Sequence, residues 1–156
     1  MAQKILIALD DSQNATRSAE YVAKSFTKDS QVTIFSVLPD TAALCELNSP
    51  SLTRLFEEQQ AQFCHLEDQK KELIKKAQEE AKDALVHQGF KAENVRLKAE
   101  IRKKGVARDI INEAENGYDV VVLGRRGISG IKEFFLGSVS QKVVQGVSNA
   151  SVLVVS

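Results

Sequence analysis

The residues best placed to do chemistry lie in the segment Gly124–Ser140, GRRGISGIKEFFLGSVS. Gly124 and Gly127 bracket a turn that directly follows the apolar run DVVVL. Glycine tolerates positive φ and lets a backbone approach a ligand closely. Gly137 and Ser138 then open a helical pattern, and a helix start offers N–H groups without intrahelical acceptors and a partial positive charge. Ser138 and Ser140 add hydroxyls, and Arg125 and Arg126 add cations. Together these groups suit a phosphate. A plainer reading is also available: Gly124 and Gly127 serve an ordinary strand-to-helix turn and Ser138 caps a helix. The residues alone leave both open.

Other candidates are weaker. Asp10 and Asp11 form a possible carboxylate pair for proton transfer, although a ligand contact plus a helix-start charge explains them more simply. His65 and His87 lie on one long helical segment without carboxylate or cysteine spacing suited to a metal. Cys64 adjoins His65, but neighbouring helical residues point in different directions. The charge run Lys70–Lys82 reads as a solvated helix face. The two cysteines, Cys45 and Cys64, lack CxxC spacing, which argues against a disulfide scaffold and a four-ligand zinc site. A GxxxxGK[ST] loop is absent from the sequence, which excludes a P-loop NTPase. The turn Ala8-Leu9-Asp10-Asp11-Ser12 has no glycines to wrap a pyrophosphate, unlike the SGGxDS-like loop of ATP pyrophosphatases.

The elements that must position these residues follow from periodicity. Lys4–Leu9, Val32–Leu38 and Asp119–Leu123 are short apolar runs, as expected of central strands, and the uninterrupted first and third of these suit burial on both faces; Ser151–Val155 is the last strand. Val95–Ile101 alternates apolar with charged residues, as expected at a sheet edge. Helices are expected over Ser12–Lys28 with Ser12 as N-cap, over Ser51–His87, after Gly105, and from Ser138 to Gly146. The long one carries a stripe of Leu66, Leu73, Ile74, Ala77, Ala81 and Leu85, thin enough near Gln59–Gln62 to suggest a break. Gly89 suits its C′ position. Thr41–Pro50 has the composition of a loop. Alternating strands and helices imply an α/β domain with a parallel sheet. The expectation is a single flavodoxin-like, doubly wound, five-stranded domain over residues 1–156, in strand order 3-2-1-4-5. Its switch point lies between the first and fourth strands, where Asp10 and Gly124 stand at the carboxyl ends.

Bulk properties agree with a compact, non-nucleic-acid-binding domain. The chain has 156 residues, 43% hydrophobic and 27% charged, enough apolar content for a core. Lys plus Arg equal Asp plus Glu at 21 each, so net charge attracts neither nucleic acid nor anionic membrane. The apolar runs are far shorter than the roughly 20 residues of a spanning helix. The start, MAQKILIALDDS, lacks the longer apolar core of a secretory signal, so a cytoplasmic location is expected.

The spacing Gly124-x2-Gly127-x9-Gly137-Ser138 resembles the G-2x-G-9x-G-(S/T) signature of ATP-binding universal stress proteins. The resemblance spans the chain: KILIALDDS is similar to that family's first strand and acidic turn, Gly105 with Ile110 to its third helix–strand junction, and SVLVVS to its last strand. It matches least over Thr41–Gln62. The resemblance implies ATP as ligand. It places Asp10 beside the adenine or ribose, gives Val37 backbone contacts to the adenine, and sets Leu123 close by. Gly124 and Gly127 then line the ribose and phosphates, and Gly137, Ser138 and Val139 give N–H groups to the phosphates. Lacking a nearby carboxylate cluster, magnesium would be held mainly by phosphate oxygens and water. The implied function is regulatory. The alternatives are a slow ATPase, a protein that autophosphorylates on Ser138 or Ser140, or a dimeric family member that binds no nucleotide. The uncharged edge strand Ser151–Val155 is expected to pair with its own copy in a homodimer.

Overall fold

A computed structural model of the chain describes residues 2–10, 15–125 and 136–156. Its strands are β1 (Lys4–Ala8), β2 (Gln31–Leu38), β3 (Val95–Ile101), β4 (Val120–Gly124) and β5 (Ser151–Val155). Its helices are α1 (Ala15–Ser25), α2 (Ala42–Cys45), α3 (Arg54–His87), α4 (Val106–Ala114) and α5 (Ser138–Gly146), with a 3-10 turn at Ala92–Asn94. All strand pairs are parallel and run in the order β3-β2-β1-β4-β5, the flavodoxin-like order expected.

The apolar strands β1, β2 and β4 are central, and both their faces are covered. Ile5 and Ile7 of β1 pack on one side with Ala19, Val22 and Ala23 of α1 and with Ala81 and Leu85 of α3. Leu6, one residue out of phase, packs on the other side with Phe35, with Ala107 and Ile110 of α4, and with Val143 of α5. Period-two alternation therefore feeds two separate cores from one strand. Each fully buried Ile or Leu contributes about 1.5–3 kcal/mol. β3 is an edge, as its charges suggest: Val95 is 2% exposed and Ile101 is 54% exposed.

Several local expectations are corrected. α3 is continuous through Gln59–Gln62. The apolar stripe is thin there because a polar residue faces the folded-back segment: Gln60 donates its amide to the carbonyls of Leu44 and Leu47. Leu66 and Leu73 stay exposed, since the buried positions of α3 begin at Ile74. The Thr41–Pro50 stretch contains the short helix α2, which lies back on α3. That contact brings Cys45 and Cys64 together as a disulfide, which their spacing in sequence did not suggest. Gly89 follows α3 at φ +106°, as expected of its C′ position, and the helix starts later than Ser51, where Thr53 caps it by accepting from the Phe56 N–H at 3.2 Å. Ser12, expected as the cap of α1, lies outside the described residues.

Candidate functional site

The site expected at the switch point is built from three strand ends and one helix start. β1 and β4 are neighbours, with Ile7 opposite Val122. Their carboxyl ends lead to Asp10 and to Gly124 on the same rim of the sheet. Asp10 is half-buried. The chain before it is pinned twice: the Leu9 N–H donates to the Phe35 carbonyl at 2.9 Å, and the Leu9 carbonyl accepts from Ser36 Oγ at 2.7 Å.

Val37 sits one step beyond that last pairing. Backbone groups of a parallel strand face its two neighbours alternately. Phe35 bonds toward β1, and the Leu38 carbonyl accepts from Arg102 on the β3 side. The N–H and C=O of Val37 therefore face the β1 side where β1 has ended, above Leu9 and Asp10. This geometry offers one donor and one acceptor at the rim of the sheet.

At the other wall, β4 is held to β5 past its last residue, since the Arg125 N–H donates to the Val155 carbonyl at 2.8 Å. The Arg125 carbonyl accepts from the Gly137 N–H at 3.0 Å, so the chain returns to the point where it left β4. Ser140 reinforces this closure by donating its hydroxyl to the Gly124 carbonyl at 2.7 Å. The first turn of α5 is thereby fixed against the end of β4. Ser138 and Val139 are exposed there, while Ser140 is 7% exposed. Leu123, 3% exposed, belongs to the core beneath the site. Arg126 and Gly127 lie outside the described residues.

A fifth element, α4, borders the rim. α4 starts at Gly105, whose φ of +133° belongs to glycine. The carboxylate of Asp109 accepts from the Lys103 N–H at 2.8 Å and the Lys104 N–H at 3.1 Å, which fixes the β3–α4 turn. Burial by itself would raise the Asp109 pKa. The N–H bonds and the nearby Lys103 charge outweigh it, and the carboxyl titrates below its ordinary value.

Sequence reasoning missed Ser36 and the structural use of Ser140. A signal existed for Ser36: a hydroxyl between Phe35 and Val37 in the apolar run VTIFSVL must find a partner if the strand is buried. Among the described residues, no group of three or more His, Cys, Asp or Glu is placed to hold a metal. No helix among them is long and apolar enough to cross a membrane.

These features define a doubly wound α/β domain in which the start of α5 is hydrogen-bonded to the end of β4 at the topological switch point. The chain belongs to the universal stress protein family, whose profile it matches over residues 1–156. It is 31% identical to universal stress protein YxiE of Bacillus subtilis, over 99% of each chain. It is 33% identical to universal stress protein Sll1388 of Synechocystis, covering 97% of this chain and 96% of that one. Among solved structures, the hypothetical protein MJ0577 superposes with a TM-score of 0.68 at 27% identity, over 99% of this chain and 96% of that one. A universal stress protein in complex with cAMP shares the fold, with a TM-score of 0.63 at 18% identity, over 99% of this chain and 96% of that one.

Proposed function

We propose that this chain is an adenine-nucleotide-binding regulatory protein, with ATP as its ligand at the carboxyl ends of β1 and β4. The observation that carries the reading is the closure of Gly137 onto Arg125, which sets the start of α5 against the end of β4. The four-point spacing Gly124-x2-Gly127-x9-Gly137-Ser138 and the nucleotide in one family neighbour, the cAMP complex, support it.

On this reading the candidate residues divide the labour. The Gly137 N–H and the Ser140 hydroxyl already bond within the fold, so both act as positioning groups. Ser138 and Val139 occupy the first turn of α5, where helix geometry leaves N–H groups without intrahelical acceptors. Those groups, the exposed Ser138 hydroxyl and the Arg125 side chain are the phosphate contacts. The inward-facing N–H and C=O of Val37 are matched to the adenine edge, and Asp10 to the ribose or adenine. Gly124 and Gly127 leave room for a close backbone approach. Magnesium is carried by phosphate oxygens and water rather than by a protein cluster.

Zero net charge draws the chain to neither nucleic acid nor anionic membrane, and its role is that of a cytoplasmic nucleotide-responsive module. β5 is an edge strand without a charged residue, and we assign it as the contact of a homodimer. Nucleotide identity is tested by mass spectrometry of the ligand that co-purifies with the chain. An adenine nucleotide at a near-stoichiometric level is expected. Protein that carries none, and takes up none when incubated with millimolar ATP, would contradict the proposal.

A further inference from the structure

Cys45 and Cys64 stand 5.9 Å apart between Cα atoms and 19 residues apart in sequence. Their bond joins the last residue of α2 to the exposed half of α3. Both cysteines are half-buried, and α2 contributes no buried residue. The Thr41–Thr53 stretch is otherwise tied to α3 by side chains on the same face as Cys64. Gln60 donates to the carbonyls of Leu44 and Leu47, and Lys71 Nζ donates to Thr41 Oγ1 at 3.1 Å. Hydrogen bonds in contact with water contribute little net stability. The covalent bond is therefore the strongest restraint on a segment that shares little apolar surface with the core.

We infer that Cys45–Cys64 is a reversible thiol–disulfide exchange site, and that its reduction releases the Thr41–Thr53 segment while the sheet stays intact. A thiolate from a dithiol reductant attacks one sulfur, the S–S bond breaks, and the other sulfur leaves as a thiolate that takes up a proton. The second thiol of the reductant then displaces the first cysteine. Two protein thiols form, and the reductant becomes a disulfide, so two electrons and two protons are transferred. In a cytoplasmic protein, the location proposed above, disulfides are as a rule redox-active rather than permanent. Thr41 follows Val37 by four positions, so the released segment adjoins the strand end that frames the candidate site.

Hydrogen exchange on the full chain tests this, before and after treatment with dithiothreitol in the absence of denaturant. Mass spectrometry of alkylated protein counts the thiols. Two alkylatable thiols are expected, with amides of Thr41–Thr53 exchanging at least about ten-fold faster and those of β1, β2 and β4 unchanged. Oxidised glutathione should restore the slow pattern. The inference is overturned if the bond resists the reductant until denaturant is added. Exchange in Thr41–Thr53 that is unchanged after verified reduction overturns it as well, and so does a failure to re-form the bond. None of these readouts uses nucleotide, so they stand apart from the test of ATP binding.

Discussion

Ser138 and Ser140 lie two residues apart at the start of α5, yet their surroundings are opposite. Ser140 is 7% exposed, and its hydroxyl donates to the Gly124 carbonyl at 2.7 Å. Ser138 is exposed. Removing the Ser140 hydroxyl deletes a hydrogen bond with a net value of about 0.5–1.5 kcal/mol, and a buried acceptor left without its donor raises the cost toward about 3 kcal/mol. Alanine is not disfavoured in a helix, so no propensity loss adds to this. Ser140→Ala should therefore lose about 1–2 kcal/mol in nucleotide-free protein, equivalent to a fall of roughly 3–6 °C in Tm for a domain of this size. Ser138→Ala should stay within about 0.5 kcal/mol of the parent, as exposed substitutions do, while weakening ATP binding. Urea unfolding followed by circular dichroism, without nucleotide, measures both. A Ser140→Ala protein as stable as the parent, or a Ser138→Ala protein equally destabilised, would refute this division.

Gly105→Ala should cost about 1–3 kcal/mol from backbone conformation alone, because a Cβ there meets no atom within 4 Å and only its φ of +133° is unfavourable. Urea midpoints of the two proteins decide it. Asp109 has a depressed pKa in the folded chain, so its stabilisation is fully present above the ordinary carboxyl value of about 4 and is lost as pH falls through the depressed value. Asp109→Asn should cost about 1–3 kcal/mol at pH 7. That gap should narrow between pH 5 and pH 2, and a gap independent of pH would show that the carboxylate charge is irrelevant. Val154→Lys on β5 should give a folded monomer in analytical ultracentrifugation. A dimer of unchanged affinity would place the contact elsewhere.

The fold was legible because its signals are repeated and local. Four uninterrupted apolar runs and one alternating run yield five strands, and a charged third strand beside four apolar ones can only lie at an edge. The bounds of β3, α5 and β5 coincide with the reading of the sequence. What escaped depends on contacts between segments distant in the chain. α2 and the Cys45–Cys64 bond require α3 to receive a folded-back segment, and nothing in a four-residue AALC stretch announces that. The Leu66 and Leu73 positions show the limit of periodicity, which marks a stripe without saying how far the sheet beneath it extends. In the candidate site, the glycine spacing was readable. The donation of Ser140 to Gly124 was not, because an N-terminal helix serine serves equally well as ligand or as clamp until its partner is placed.

The central claim is that an adenine nucleotide binds where β1, β4 and the start of α5 meet, and mapping of backbone amides by NMR during an ATP titration tests it most directly. Saturable shifts are expected at Val37, Leu9, Gly124, Gly137, Ser138 and Val139, with the opposite end of the sheet silent. That end holds a polar groove of about 460 Å³ lined by Lys4, Gln31, Arg96 and Tyr118, which serves as the internal control. Saturable shifts clustered in that groove, or no shifts at millimolar ATP, would contradict the account.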